Sequence, residues 1–600
     1  MAVSKVVLNG TTLIDITDTT AEASDVAQSE IFYGADGVRT SGTSTGGGSG
    51  SGIDELLECT ISGSIYNSNI TQVRSYFFED CSKITSVDFP AVTSIGGFAF
   101  QGCTSLQTVN IPNLDFIGYS AFSNCTSLMS VSFPVLTTAY PNAFYSCYSL
   151  QTAYMPELSN GGLSVYMFYN CHLLQEADFP KCVNIPQCVF YNCSSLSTVN
   201  ISNARYIGQS AFANCISLTS VNFPVASYVS TSGFISCTSL QTANLPSVTK
   251  VSNSAFYNCY NLSSLVLSTN LSSIGDYAFY RCSSLTSINF PNLTSVGAYA
   301  FASCTSLSFA NIPNISISNS STASYIFGSC TSLTGVTMPL NRIPQGAFAG
   351  CTNLSSISFS STTEIHNNAF RGCGFTEVEL PLISMLNYGV FQSNYSLSRV
   401  IIPNVTTISG NAFYHCSSLT DIQAPKVNYI STYAFVCCSS LSYISFPLVT
   451  SLGAYAFSSC SSLIDVSLPL LTSIGNSAFA NCTNLTNIDL TNIKYIGAAA
   501  FSTCLSLQTI RMQNISSIQS SAFYMCHSLE SVYILCNSVP QCSSNMFYFT
   551  PITTSSYLGY YGSIYVKASL LASFQTATYI SVYKNRMVGL TDEEIAALEN

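Results

Sequence analysis

Cysteine recurs along this chain from Cys81 to Cys526, mostly at 22-residue intervals and almost always inside the phrase A-F-x-x-C-x-S-L. Cys103, Cys125 and Cys147 keep that spacing, as do Cys438, Cys460, Cys482, Cys504 and Cys526, and Asn394 stands where one member is due. Self-similarity at this period is the signature of stacked repeats, in which one short unit cannot bury its apolar face alone. The core of such a chain grows along one axis, so 600 residues need not divide into several globular domains.

The rung from Cys103 to Phe122 shows the pattern. Leu106, Val109 and Ile111 follow the L-x-x-L-x-L phrase of a short strand with those side chains inward. Pro112 has no backbone donor and ends that strand. Leu114 and Ile117 continue the core, Gly118 supplies a permissive turn, and Ala121-Phe122 brings the chain back on the far side. One cysteine per rung in the same apolar phrase predicts a column of buried, reduced thiols acting as small hydrophobes. Asn394 within the column fits that reading, because an obligate disulfide would strand its partner.

Charged residues make up 8% of the chain and the net charge is −11, which argues against a nucleic-acid binder. The N-terminus lacks an apolar stretch long enough for a signal peptide, and no run approaches the roughly 18 apolar residues of a membrane span. The chain is therefore expected to be made in the cytoplasm as a soluble protein without membrane insertion.

Residues 1–42 stand apart from the repeat. Val6-Val7-Leu8 and Leu13-Ile14-Asp15-Ile16 flank Asn9-Gly10, a strong hairpin signal, Thr20–Gln28 suits a short helix, and Tyr33–Gly37 reads as a turn. Residues 43–52 are a Gly/Ser linker; a phosphate-binding loop would need a Gly-Lys-Ser/Thr end. Residues 53–80 begin the array, 81–545 form it and 546–600 close it. Ser316–Ser324, inside a longer interval, is expected to loop out. Ile564 onward reads as a last strand followed by a helix, and Thr591-Asp-Glu-Glu594 is a capping box.

The phrase C-x-S-L-x-x-V-x-F-P-x-L-T-S-I-G-x-x-A-F resembles the BspA-like, treponemal-type class of leucine-rich repeats over about 53–545, and Ile564–Val588 resembles the segment that often follows such arrays. The resemblance implies an α/β repeat solenoid: a right-handed stack of about 20 rungs, with a parallel β-sheet on one face, a small N-terminal α/β module and a C-terminal cap. Members of that class are commonly surface adhesins that bind host or matrix proteins. Met1–Thr17 and Phe32–Gly42 are similar to N-terminal modules of tail and appendage proteins of phages and prophages of Firmicutes, although Ser29-Glu30 departs from the glycine found there.

Candidate sites are of two kinds. At the outward strand position near the strand end stand Tyr154, Asp178, Asn200, Asn222, Asn244, Asn289 and Asn311, interrupted by Val266. Asn200, Asn222 and Asn244 would ladder at rung spacing, either bonding one another or lining a polar groove for glycan hydroxyls or an extended peptide. After the rung phenylalanine stand Tyr145, Tyr169 and Tyr191, then Tyr257, Tyr280, Tyr414 and Tyr524. Such a strip either shields the turn or stacks on sugar rings. His172, His366, His415 and His527 lie on distant rungs, and Glu377 and Glu379 flank Val378 as a solvated strand face, so no catalytic, metal or cofactor site is expected. The expectation is a non-enzymatic receptor-binding protein of a phage or prophage tail that recognises a bacterial cell-surface protein or glycan. Residues 1–42 would dock to tail or baseplate proteins, or to copies of themselves as a homo-oligomer. The alternative is a bacterial cell-surface or secreted adhesin binding host protein, matrix or glycan.

Overall fold

A computed structural model describes residues 62–159, 162–317, 323–553 and 561–599, together with four N-terminal strands. Lys5–Leu8 pairs antiparallel with Thr11–Asp15, and Ile31–Tyr33 with Arg39–Ser41, while Asn9-Gly10 and most of the expected Tyr33–Gly37 turn lie outside the described residues. Lys5–Leu8 also pairs antiparallel with Ser62–Tyr66, matching Val7 to Tyr66 and Leu8 to Ile65. The helix expected at Thr20–Gln28, the 43–52 linker and much of the loop at 316–324 lie outside the described residues.

The chain forms two compact units, Met1–Ser306 and Leu307–Asn600. Both stack the same three-sided rung. The first side is a short strand, as in Ser130–Ser132, Thr152–Tyr154 and Glu176–Asp178, paired parallel and in register with its neighbours. The T-S-I-G phrase, read from sequence only as core and turn, forms a second parallel ladder of two-residue strands. That ladder runs from Asn184–Ile185 to Ser295–Val296 in the first unit and from Met385–Leu386 to Gln541–Cys542 in the second. Gly118 serves close approach rather than a turn: a Cβ there would sit 2.5 Å from the Gly97 backbone nitrogen.

The third side carries A-F-x-x-C. Two residues per rung adopt left-handed backbone, such as Ser120 and Asn124, then Asn142 and Ser146, with φ between 51° and 61°. Asparagine tolerates that region better than other side-chain-bearing residues, which accounts for its recurrence just before the cysteine. Between these positions the backbone donates from rung to rung in one direction. The Ser120, Phe122 and Asn124 N–H groups reach the carbonyls of Pro141, Ala143 and Tyr145 at 3.0, 2.8 and 2.7 Å.

The core follows from this geometry. Cys103, Leu106, Ile111, Leu114, Ile117, Ala121 and Phe122 are fully buried, whereas Val109 is half-buried. The rung phenylalanines stack face to face, from Phe100 to Phe301 at 5.1–5.7 Å in the first unit. In the second unit they stack from Phe327 to Phe547 at 5.0–5.9 Å. Column thiols donate to a phenylalanine carbonyl of the preceding rung, as Cys125 to Phe100, Cys147 to Phe122 and Cys215 to Phe190, each at 3.1 Å. The thiol is thus a weak donor as well as a small hydrophobe. Asn394 does the same with its amide, donating to Phe370 at 2.7 Å and Phe391 at 2.9 Å, while its buried Oδ1 has no partner.

One column member departs from the expectation. Cys81 is in a disulfide, whereas the other described cysteines, from Cys103 to Cys542, are thiols. Its bond therefore runs to a partner outside the described residues and not along the column. Cys81 is the first member of the column, and the described thiols that follow it are not crosslinked.

The C-terminal end closes as the sequence indicates. Ser563–Lys567 pairs parallel with Ser531–Ile534 and Met587–Leu590, and the helix Leu571–Thr576 buries Phe574. The last rung's Phe547 N–H donates to the Tyr583 hydroxyl at 3.3 Å. At the helix Asp592–Glu599, Glu594 Oε2 accepts from the Thr591 N–H at 2.8 Å while the Glu594 N–H donates to Thr591 Oγ1 at 3.3 Å. The Thr591 N–H first, then its hydroxyl, hold the Glu594 carboxyl below its usual range.

Candidate functional site

The sheet face presents its outward side chains in register. Tyr154 lies opposite Asp178, Asp178 opposite Asn200, and Asn222 opposite Asn244. Asn200 Nδ2 donates to Asp178 Oδ1 at 2.7 Å and Asn244 Nδ2 to Asn222 Oδ1 at 2.7 Å. The ladder expected through Asn200, Asn222 and Asn244 is broken, however: Thr198–Asn200 ends one sheet and Ser220–Asn222 begins another. The short ladder passes unbroken through these rungs, from Tyr206–Ile207 to Tyr228–Val229. Three-residue strands contribute few bonds, and the other two sides set rung spacing. The outcome is one amide–carboxylate pair, Asn200–Asp178, with half-exposed Tyr154 beside it, and one amide pair, Asn244–Asn222.

A second amide series was not anticipated. Asn192 Nδ2 donates to Asn170 Oδ1 at 3.0 Å and Asn214 Nδ2 to Asn192 Oδ1 at 2.8 Å, all three at the left-handed position before the cysteine. The signal was present as N-C in consecutive rungs, but the turn conformation that aligns the amides is not a sequence pattern.

Tyr145, Tyr169 and Tyr191 come together on the third side. Tyr145 and Tyr169 stack at 4.9 Å and 2°, Tyr169 and Tyr191 at 4.6 Å and 5°. Their facing surfaces cover one another, so the ring edges and hydroxyls are what the row offers a ligand. Burial, then the phenols of Tyr191 and Tyr145, push the Tyr169 hydroxyl upward. Tyr257 and Tyr280 stack likewise at 5.0 Å.

The titratable residues are dispersed. His172 bonds the Asn192 carbonyl at 3.0 Å and stacks on Tyr148. His366 Nε2 lies 2.9 Å from Glu364 Oε1, whose other oxygen meets Arg342 Nε at 2.9 Å. Burial first lowers the His366 pKa, Glu364 opposes this and Arg342 reinforces it. Glu377 and Glu379 are exposed on either side of buried Val378. Among the described residues, no group of three or more His, Cys, Asp or Glu is placed to hold a metal ion, and no helix is long and apolar enough to cross a membrane.

The sequence matches the family described as "BspA type Leucine rich repeat region (6 copies)" in overlapping windows at residues 56–171, 141–241, 205–334, 249–377, 320–442, 384–488 and 450–567. No curated protein matches the chain. A leucine-rich repeat protein from Bacteroides ovatus is similar at 21% identity, covering 74% of this chain and 82% of that one, with a TM-score of 0.26. For a leucine rich cell surface protein from Faecalibacterium prausnitzii the identity is 22%, the coverage 66% and 92%, and the TM-score 0.27. The pneumococcal vaccine antigen PcpA gives 18%, 62% and 84%, and 0.29.

Proposed function

Because this chain belongs to the BspA-type leucine-rich repeat family, whose repeats serve as interaction scaffolds, we propose that it is a non-enzymatic recognition protein, a receptor-binding component of a phage or prophage tail. The observation that carries the recognition role is the sheet face, where side chains one rung apart are held in register and paired, as at Asp178–Asn200 and Asn222–Asn244. A surface so ordered loses little conformational freedom on binding. Tyr154 and the row of Tyr145, Tyr169 and Tyr191 add aromatic area at low entropic cost. The ligand is a protein or glycan of a bacterial cell surface. The tail role is supported by the resemblance of Met1–Thr17 and Phe32–Gly42 to phage tail modules and by the two antiparallel hairpins in that segment. Residues 1–42 then dock to tail or baseplate proteins, and the protein resides in the virion.

Attachment of the labelled full chain to bacterial cells tests the first part. Tyr145, Tyr169 and Tyr191 changed together to Ser are expected to weaken attachment about tenfold or more while the array stays folded; unchanged attachment rejects that row. Deleting residues 1–42 is expected to preserve attachment by the array and abolish incorporation into particles. Full incorporation of the deleted protein refutes the docking role.

A further inference from the structure

Between the strands Asp421–Gln423 and Tyr443–Ser445 the sheet ladder is interrupted: the first ends one sheet, the second begins the next, and no ladder hydrogen bond joins them. The rungs themselves remain stacked. Tyr429–Ile430 pairs in register with Ser451–Leu452, and Phe435 lies 5.1 Å from Phe413 and 5.0 Å from Phe457. No extra strand fits into a gap whose other two sides hold ordinary spacing. The backbone groups left unpaired there must be satisfied by small hydroxylic groups, from water or from a ligand.

A groove of about 520 Å³ opens at this place, lined among others by Thr420, Asp421, Gln423, Tyr443 and Ser445. Asp421 is oriented by two donors on one oxygen, Arg399 Nε at 3.2 Å and Gln423 Nε2 at 3.0 Å to Oδ2. The Asp421 side chain remains about half exposed, and its second oxygen is a further acceptor in a lining that also holds the Gln423 amide and the Ser445 hydroxyl. Tyr443 is 50% exposed. Unlike Tyr145, Tyr169 and Tyr191, it has no ring stacked on it among the described residues, so its face is available.

We propose that this groove is a seat for a short oligosaccharide, with the Tyr443 ring receiving the C–H face of a pyranose and Asp421 and Gln423 accepting its neighbouring hydroxyls. The proposal deepens the recognition reading and rests on it. An aromatic face binds the positive edges of C–H groups, and the carboxylate and amide of the hydrogen-bonded pair Asp421–Gln423 present neighbouring acceptors suited to vicinal hydroxyls. Two rung steps span about 10 Å, which suits a short glycan rather than a protein surface. The partial neutralisation of Asp421 by Arg399 favours a neutral or N-acetylated sugar over a cationic ligand.

The test uses the full chain on arrays of immobilised neutral-hexose and N-acetylhexosamine oligosaccharides, with Tyr443→Ala, Asp421→Ala and, as control, Tyr395→Ala. Tyr395 is 60% exposed and does not line the groove. Binding to at least one array component is expected, lowered about tenfold or more by Tyr443→Ala and by Asp421→Ala and unchanged by Tyr395→Ala. Glycan binding that survives both groove substitutions overturns the seat while recognition stands. Attachment to cells that is abolished by protease and resists periodate, with no array binding, overturns the glycan class in favour of a protein partner. Failure to bind either the arrays or any cell overturns the parent reading together with this one.

Discussion

In the native protein at pH 8, an alkylating reagent is expected to modify Cys437 and leave the column from Cys103 to Cys526 unmodified until denaturant is added. Cys437 is the only described cysteine thiol that is not buried. Burial pushes column thiols such as Cys103, Cys237 and Cys482 from 9.0 up to about 12. At pH 8 that shift cuts the reactive thiolate about a thousandfold, before steric exclusion is counted. Deprotonation would also remove the thiol's bond to the phenylalanine carbonyl of the preceding rung. The sign for stability follows from linkage. The folded-state pKa lies above the unfolded one, so the contribution is intact below about pH 9 and is lost as pH rises toward 12. Intact-mass counting of labels over time checks the reactivity, and rapid labelling of several described cysteines in the native state would reject the dry column.

Phe256→Ala is expected to destabilise the first unit by about 3–5 kcal/mol. Phe256 is fully buried between Phe234 at 5.1 Å and Phe279 at 5.2 Å. Its removal opens a cavity and also deprives both neighbouring rings of a stacking face. In a repeat stack the loss falls on two rung interfaces at once, so chemical denaturation should show the mutated unit unfolding early. Phe256→Leu keeps most of the volume and should cost less. A loss under about 1 kcal/mol for the alanine variant would mean that the rings fill space without setting rung spacing.

The parts of the rung decided by side-chain chemistry were readable in the sequence. Leu106, Ile111, Pro112, Ala121 and Phe122 recur because each rung solves the same packing problem, and the capping box at Thr591–Glu594 is a local hydrogen-bond pattern. Properties that depend on the neighbouring rung were not readable. The thiol's carbonyl partner, 25 residues back at Cys125–Phe100, lies across a rung boundary. The mutual stacking of Tyr145, Tyr169 and Tyr191 turns a row that looked open to sugars into one that presents edges. The break between Asn200 and Asn222, and the groove beside Tyr443, arise where short strands fail to pair although their sequences match the repeat. The Cys81 disulfide escaped because periodicity assigns that residue to the column.

The one-way donation along the A-F side has an electrical consequence. Peptide units such as Ala121–Phe122 and Ser123–Asn124 point their carbonyls toward the preceding rung and their N–H groups toward the next, and the same orientation recurs at Ala143–Phe144 and Tyr145–Ser146. Each such unit carries a moment of about 3.5 D, and aligned moments add and polarise one another. The A-F side of each unit is therefore polarised with its positive end toward the C-terminal rung, where the Tyr583 oxygen meets it at Phe547 in the second unit, whereas the T-S-I-G side is polarised the opposite way, its Gly118 and Tyr140 N–H groups donating back to the Ile95 and Ile117 carbonyls at 2.8 Å each.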